Sequence, residues 1–225
     1  NEFGGLVNSD ERFELAEVVD ELSNDKVLTM TFLDGEVIDK LYSKNLDLRQ
    51  NVSSALLELS LREVFQFGLV QTDSNFANYF YSENSGKIQL LDFGATRRYS
   101  ALMRNKFMLL LDACLISDQQ AILESAYQIG YTGAEDNPDY QEAIVDLLLT
   151  VTMPLRHEGE FDFRHSQLSQ LMTDKLMKLR FEQRYTRMPP TDVLFLHRKL
   201  GGLYLLLSHL GANLNVNKLV RDTLL

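Results

Sequence analysis

Between Gly68 and Gly94 the helical pattern of the chain breaks, and that stretch restricts the fold more than any other. Gly68 to Asn78 (GLVQTDSNFAN) is polar and irregular and predicts a loop. Two short apolar runs follow, Tyr79 to Tyr81 (YFY) and Lys87 to Leu91 (KIQLL), joined by the turn-forming residues Ser82-Glu83-Asn84-Ser85-Gly86. That pattern is a β-hairpin with a longer connection. Asp92-Phe93-Gly94 comes directly after the second run. A hairpin returns the chain to its starting point, so Asp73 and Asn78 before it and Asp92 after it belong at one end.

The text around this hairpin is mostly helical. From 45 to 67, Leu48, Val52, Leu56, Leu57, Leu61, Val64 and Phe65 recur near helical spacing, which predicts one long helix with a buried stripe. Further helices are predicted over about 99–116, 117–129, 138–153, 165–184 and 191–211, punctuated by Pro154, Pro189 and Pro190. Upstream, Val27 to Phe32 (VLTMTF) reads as a strand ended by Asp34-Gly35. The expected class is mainly α (α+β). With 225 residues and 45% hydrophobic composition, the chain has material for one substantial core and a small appendage.

Charge and cysteine content exclude several classes. The net charge of −10 has the wrong sign for a protein that neutralises many phosphates, so nucleic acid is not an expected partner. Cys114 is the single cysteine and lies in an apolar run; it forms no internal disulfide and reads as a core residue in a reducing compartment. Residues 1–14 have neither signal-peptide nor transit-peptide character. No apolar run reaches the roughly 18 residues of a membrane span. His157, His165 and His209 have neither metal spacing nor a cysteine partner.

The order D-x-x-x-x-N, hairpin, D-F-G is the arrangement used for phosphoryl transfer by protein kinases. The chemistry needs hard oxygen ligands for magnesium, supplied by a carboxylate and an amide carbonyl, and a further carboxylate facing the acceptor. On pattern alone a second reading stands beside this one: Asp73 and Asn78 as turn residues and Asp92 as a helix cap.

The string GLVQTDSNFANYFYSENSGKIQLLDFGATR resembles the UbiB/ADCK family of atypical kinases and kinase-like ATPases. VLTMTFLDGEVID is similar to that family's strand-and-hinge segment, and MPPTDVLFLHRKLGGLYLL to its C-terminal signature. The likeness runs over roughly residues 15 to 212. It implies a protein-kinase-like C-lobe with a small catalytic hairpin, spanning 33–225, preceded by an N-lobe remnant over 1–32. It implies ATP and Mg2+ as cofactors, with Asp73 as the catalytic aspartate and Asn78 and Asp92 as magnesium ligands. The backbone of Thr31 and Phe32 would meet the adenine edge, with Met30 behind it and Phe80 beneath the base. For Met30 and Phe80 simple core packing is the competing reading. The family's role implies support of ubiquinone or related isoprenoid-lipid metabolism. Proteins of lipid biosynthesis or an isoprenoid lipid would be partners. The setting would be cytoplasmic with peripheral membrane contact, on the matrix side in a mitochondrial member. A non-catalytic kinase-like scaffold is the alternative.

The sequence departs from the family pattern in two respects. Ser74 stands where proline is common, and no K-x-G-Q segment, alanine-rich loop or lysine–glutamate pair precedes Val27. The expectation is that this polypeptide alone binds nucleotide poorly. His197-Arg198-Lys199 reads as a family marker whose charges are structurally paired. Arg97-Arg98 suits phosphate or solvent, and Gly201-Gly202 suits close helix packing.

Overall fold

The computed structural model of the chain describes residues 2–181 and 188–225. Its helices are α1 (Glu2–Val7), α2 (Leu46–Arg62), α3 (Ala101–Ile116), α4 (Gln119–Ile129), α5 (Pro138–Val151), α6 (Met153–Arg156), α7 (Leu168–Phe181), α8 (Thr191–Leu210) and α9 (Val216–Leu224). Its strands are β1 (Phe13–Leu15), β2 (Glu36–Val37), β3 (Leu69–Gln71), β4 (Tyr79–Ser82), β5 (Lys87–Leu90), β6 (Thr96–Arg98), β7 (Phe161–Asp162) and β8 (Asn213–Leu214). The fold is mainly α with small sheets. The helices predicted from periodicity are present within a few residues; residues 182–184 of the one expected over 165–184 lie outside the described residues.

Local chemistry explains where these helices start. Asn45, Ser100, Asp118, Asn137 and Asn215 each accept a hydrogen bond from a backbone N–H of the first turn of α2, α3, α4, α5 and α9. Such caps satisfy donors that a helix start leaves unpaired. α2 ends in a π-helical turn, Glu63–Phe67, stopped by Gly68 in the left-handed region at φ 64°. A Cβ on Gly68 would sit 3.0 Å from the Tyr99 carbonyl oxygen, so both backbone geometry and space favour glycine there.

The predicted hairpin is β4–β5, with Tyr79 opposite Leu90 and Ser82 opposite Lys87. It forms the centre of a four-stranded sheet in the order β1-β5-β4-β2, β1 running parallel to β5. Tyr79, Ile88 and Leu90 bury one side of it against α2, α8 and α9, through Leu56, Leu59, Leu206, Leu210 and Val220 among others. A second apolar cluster joins α3, α4 and α5 to the first half of α8, through Phe107, Ile122, Ile144 and Val193. Cys114 is buried there as expected. No helix is long and apolar enough to cross a membrane, among the described residues.

The expected strand over Val27 to Phe32 is not formed. Only an isolated bridge between Val18 and Met30 remains, flanked by Val19 N–H to Thr29 (2.9 Å) and Thr31 N–H to Glu17 (2.9 Å). A β-branched run becomes a strand only where consecutive residues pair with a neighbouring strand. Here the pairing stops after a few residues, and Leu28, Met30 and Phe32 remain exposed. The stretch expected as loop over 68–78 begins instead with β3, which pairs antiparallel with β6. α1, β1 and α9 also lay outside the periodicity reading; each is too short to give a clear repeat.

Candidate active site at the hairpin mouth

Three local contacts position the loop before the hairpin against the segment after it. β3 pairs with β6, matching Leu69 to Arg98 and Gln71 to Thr96. The Thr72 backbone N–H and its Oγ1 both donate to the Ala95 carbonyl, at 3.2 and 2.6 Å. Gln71 Nε2 donates to the Asp92 carbonyl at 3.1 Å. At the hairpin itself, the Leu91 N–H donates to the Asn78 carbonyl at 2.9 Å. Asn78 and Asp92 are thereby one residue apart across the last rung, and Asp73 is drawn to the same end.

Asp73 and Asn78 are directly bonded. Asn78 Nδ2 donates to the Asp73 carbonyl (3.0 Å) and to Asp73 Oδ2 (3.2 Å). With the amide nitrogen so engaged, the amide oxygen is the atom Asn78 can turn to a cation. Asp92 has φ 46°, a left-handed conformation that costs a non-glycine residue energy. Its Oδ1 accepts the Gly94 N–H at 2.9 Å and braces that turn. Asp92 is therefore not a helix cap: the next helix, α3, is capped by Ser100. Phe93 packs on Phe3 of α1 with ring centroids 4.6 Å apart, which ties the aspartate-bearing turn to the start of the chain.

Among the described residues no group of three or more His, Cys, Asp or Glu side chains gathers to hold a metal. One amide oxygen and one carboxylate are nevertheless a hard-oxygen pair. They suit magnesium, which keeps waters and takes its other ligands from substrate phosphates, and they do not suit a soft or fully caged metal.

The residues expected to form the adenine hinge are open to solvent. Phe32 is 90% exposed, and Met30 is half exposed, so core packing does not account for either. Phe80 is partly buried in mid-sheet, opposite Val37 of β2 and Gln89 of β5. Gln89, which sequence reasoning passed over, joins the Asp34-Gly35 turn and Glu14 of β1 to the hairpin. Its Oε1 accepts the Gly35 N–H (2.8 Å), and its Nε2 donates to Glu14 (2.8 Å) and Asp34 (3.3 Å). Gly35 is needed here, since a Cβ would meet Gln89 Oε1 at 2.4 Å.

α8 supports the whole mouth. Ser74 Oγ donates to the Lys199 carbonyl at 2.9 Å. A Cβ on Gly202 would approach Ser74 Cβ to 2.5 Å, whereas one on Gly201 would meet nothing within 4 Å. The expected close packing thus belongs to Gly202. Lys199 is buried, with Nζ 2.8 Å from Glu63 of the π turn and 3.3 Å from the Tyr79 hydroxyl at the root of the hairpin. Burial opposes the charge of Lys199, yet the Glu63 carboxylate and the Tyr79 hydroxyl hold it protonated, above the ordinary lysine range. Burial pushes the Glu63 carboxyl up, and Lys199 opposes that shift. Arg198 reaches the other way and bonds Asp73 Oδ1. Arg97 and Arg98 have protein partners: Arg97 bonds Asp192 (3.0 Å) and lies 3.8 Å over Phe195, and Arg98 pairs with Glu2.

His197, the third residue of this trio, gives a pH prediction. Its Nε2 lies 2.6 Å from the Tyr131 hydroxyl and its ring stacks on that of Tyr131. Burial pulls its pKa below the usual 6.5. A lowered folded-state pKa means the unfolded chain takes up the proton first, so stability is full above about pH 6.5 and declines as pH falls through the folded-state value. Between pH 7.5 and 5, the urea midpoint of the wild type is expected to drop, and that of His197→Gln to drop less. Parallel declines would exclude His197 as the source.

The sequence and the fold have known counterparts. The family model described as the ABC1 atypical kinase-like domain matches residues 1–126. Atypical kinase COQ8, mitochondrial, of Saccharomyces cerevisiae is 32% identical over 222 residues, covering 98% of this chain and 44% of the yeast protein. Atypical kinase COQ8B, mitochondrial, of Danio rerio is 30% identical over 220 residues, covering 98% of this chain and 35% of the fish protein. The chain thus spans less than half the length of these curated relatives. Among solved structures, the complex of Rv3197 with erythromycin from Mycobacterium tuberculosis aligns with a TM-score of 0.71 over 99% of this chain and 55% of that one. At 17% identity that likeness concerns the fold alone. A matched family domain over more than half of the chain, a kinase-like fold, and the D-x-x-x-x-N and D-F-G elements at one hairpin mouth make this chain a member of the UbiB/ADCK family of atypical kinases.

Proposed function

We propose that the hairpin mouth handles Mg-ATP for phosphoryl transfer or hydrolysis, in support of ubiquinone or related isoprenoid-lipid metabolism. The observation that carries this reading is the double closure of the mouth, by β3–β6 on one side and by the Leu91-to-Asn78 rung on the other. This closure, with the Asn78–Asp73 hydrogen bonds, supports the reading by setting Asp73, Asn78 and Asp92 in the segments at one end of the hairpin. In the proposed roles, the Asn78 amide oxygen and the Asp92 carboxylate hold magnesium. Bound there with ATP, the ion would supply charge neutralisation on the phosphates. Asp73 orients the acceptor hydroxyl or water and takes its proton. Met30, Thr31 and Phe32 form the adenine edge, with Phe80 below the base. Exposure of the hinge side chains supports this, since apolar side chains that open would be covered by a nucleotide base and an upper lobe.

The test is Mg-ATP binding and hydrolysis by this chain and by the full-length gene product, each with Asp92→Asn. The full-length wild type is expected to bind and hydrolyse ATP. Asp92→Asn should weaken Mg-dependent binding by about tenfold or more, the loss of one charge-assisted contact of roughly 1.5–3 kcal/mol. This chain alone is expected to bind weakly. Equal binding by wild type and Asp92→Asn, or binding indifferent to magnesium, would sink the reading and leave a scaffold that holds protein or lipid partners.

A further inference from the structure

The catalytic-loop candidate Thr72 to Asn78 (TDSNFAN) contains no basic residue. A carboxylate at Asp73 nonetheless has a cation beside it, Arg198, from a helix 125 positions further along the chain. The contact is not a chance surface pairing of two long side chains. One residue on from Arg198, the Lys199 carbonyl accepts the hydroxyl of Ser74, the neighbour of Asp73. Four residues on, Gly202 lets the Ser74 backbone approach α8 closely. Lys199 itself is locked to Glu63 and Tyr79 in the core. The backbone under Arg198 is therefore fixed relative to the backbone of Asp73, and only one side chain spans the gap. Arg198 is 57% exposed and Asp73 27%, so the pair lies at the open mouth and not in the core.

We propose that Arg198 is the positioning residue of Asp73. It supplies from α8 the cation that the loop lacks and, with Asn78 on the other carboxylate oxygen, holds the Asp73 side chain in one orientation toward the acceptor. This rests on the reading of Asp73 as the acceptor-facing group. A planar guanidinium fixes a carboxylate better than an ammonium does, because its donors form a rigid fork. Misplacement of a reacting group by about 1 Å costs up to roughly 100-fold in rate.

The experiment measures Mg-ATP hydrolysis by the full-length protein as wild type, Arg198→Gln, Arg198→Lys, Asp73→Asn and the double variant Asp73→Asn/Arg198→Gln. Amide exchange over residues 72–78 is followed alongside. Expected for Arg198→Gln is a kcat lowered by about 10- to 100-fold, little change in KM for ATP, and a nearly unchanged melting temperature. Arg198→Lys falls between, and the double variant is no slower than Asp73→Asn. An Arg198→Gln kcat within about twofold of wild type, or losses that multiply in the double variant, overturns the proposal. Should the wild type hydrolyse no ATP, or Asp92→Asn hydrolyse as fast as wild type, the reading of the site fails and exchange decides for Arg198. Faster exchange at the Asn78 amide, with that of α8 unchanged, supports positioning; unchanged exchange rules it out.

Discussion

Replacing Lys199 with methionine is expected to destabilise the protein by about 3–5 kcal/mol, the usual cost of leaving one member of a buried ion pair without its partner. Both side chains are about 2% exposed. Methionine fills the space of the lysine stem but leaves the Glu63 carboxylate in a dry site beside an unbonded Tyr79 hydroxyl. Glu63 can escape only by taking up a proton, a course already favoured by burial. The double variant Glu63→Leu/Lys199→Met removes both charges and should recover most of the loss, since apolar replacement of a buried pair is often neutral or better. Urea denaturation of the four proteins of this cycle measures the coupling. A single-variant loss under about 1 kcal/mol would mean that the pair is hydrated and contributes no more than a surface contact. The location makes the prediction functional as well. The pair joins the end of α2, the root of the hairpin and the middle of α8, so loosening it loosens the frame of Asp73 and Asn78.

Alanine at two adjacent glycines should act in opposite directions. At Gly201 the new methyl group meets nothing within 4 Å, and removing a glycine from a helix interior gains up to about 1 kcal/mol. At Gly202 the same methyl group would lie 2.5 Å from Ser74 Cβ and 3.1 Å from the Ser74 carbonyl oxygen. These atoms belong to or adjoin the loop backbone, so α8 and the loop must separate. Overpacking of this kind costs roughly 1–3 kcal/mol, more than the gain in helix propensity returns. Gly202→Ala should therefore lower the melting temperature and weaken the Ser74-to-Lys199 hydrogen bond, while Gly201→Ala raises the melting temperature. Equal shifts at both positions would mean that the loop yields freely and that α8 does not hold it.

How much of this was legible beforehand depended on the distance over which each feature is determined. The long helix before the loop, the hairpin and the helical C-terminal half follow from periodicity and turn chemistry within a dozen residues; the connection is one residue shorter than expected, since Ser82 joins β4 and pairs with Lys87. The D-x-x-x-x-N and D-F-G spacing pointed to the mouth because a hairpin necessarily returns its ends to one place. Reading Asp92 as a helix cap was also reasonable locally, but the chain enters β6 and reaches Ser100 before a helix begins. The opposite happened at Val27 to Phe32. Composition there favours a strand, yet a strand requires neighbours, and only one bridge, to Val18, is made.

His197-Arg198-Lys199 shows the limit most clearly. A helix with three cationic or titratable residues in an apolar run needs partners for them. Nothing within the helix decides that Lys199 turns inward to Glu63, His197 to Tyr131 and Arg198 outward to Asp73. Consecutive helix positions point about 100° apart, so three neighbouring residues face three different surfaces. Which surface each one meets is settled only when α8 is laid across the loop. The sequence by itself determined the helices, the hairpin and the acidic residues at its two ends, because each depends on residues close together in the chain. Tertiary structure alone decided the β3–β6 closure and the seat of the mouth on α8, because those contacts join groups some 25 to 125 positions apart.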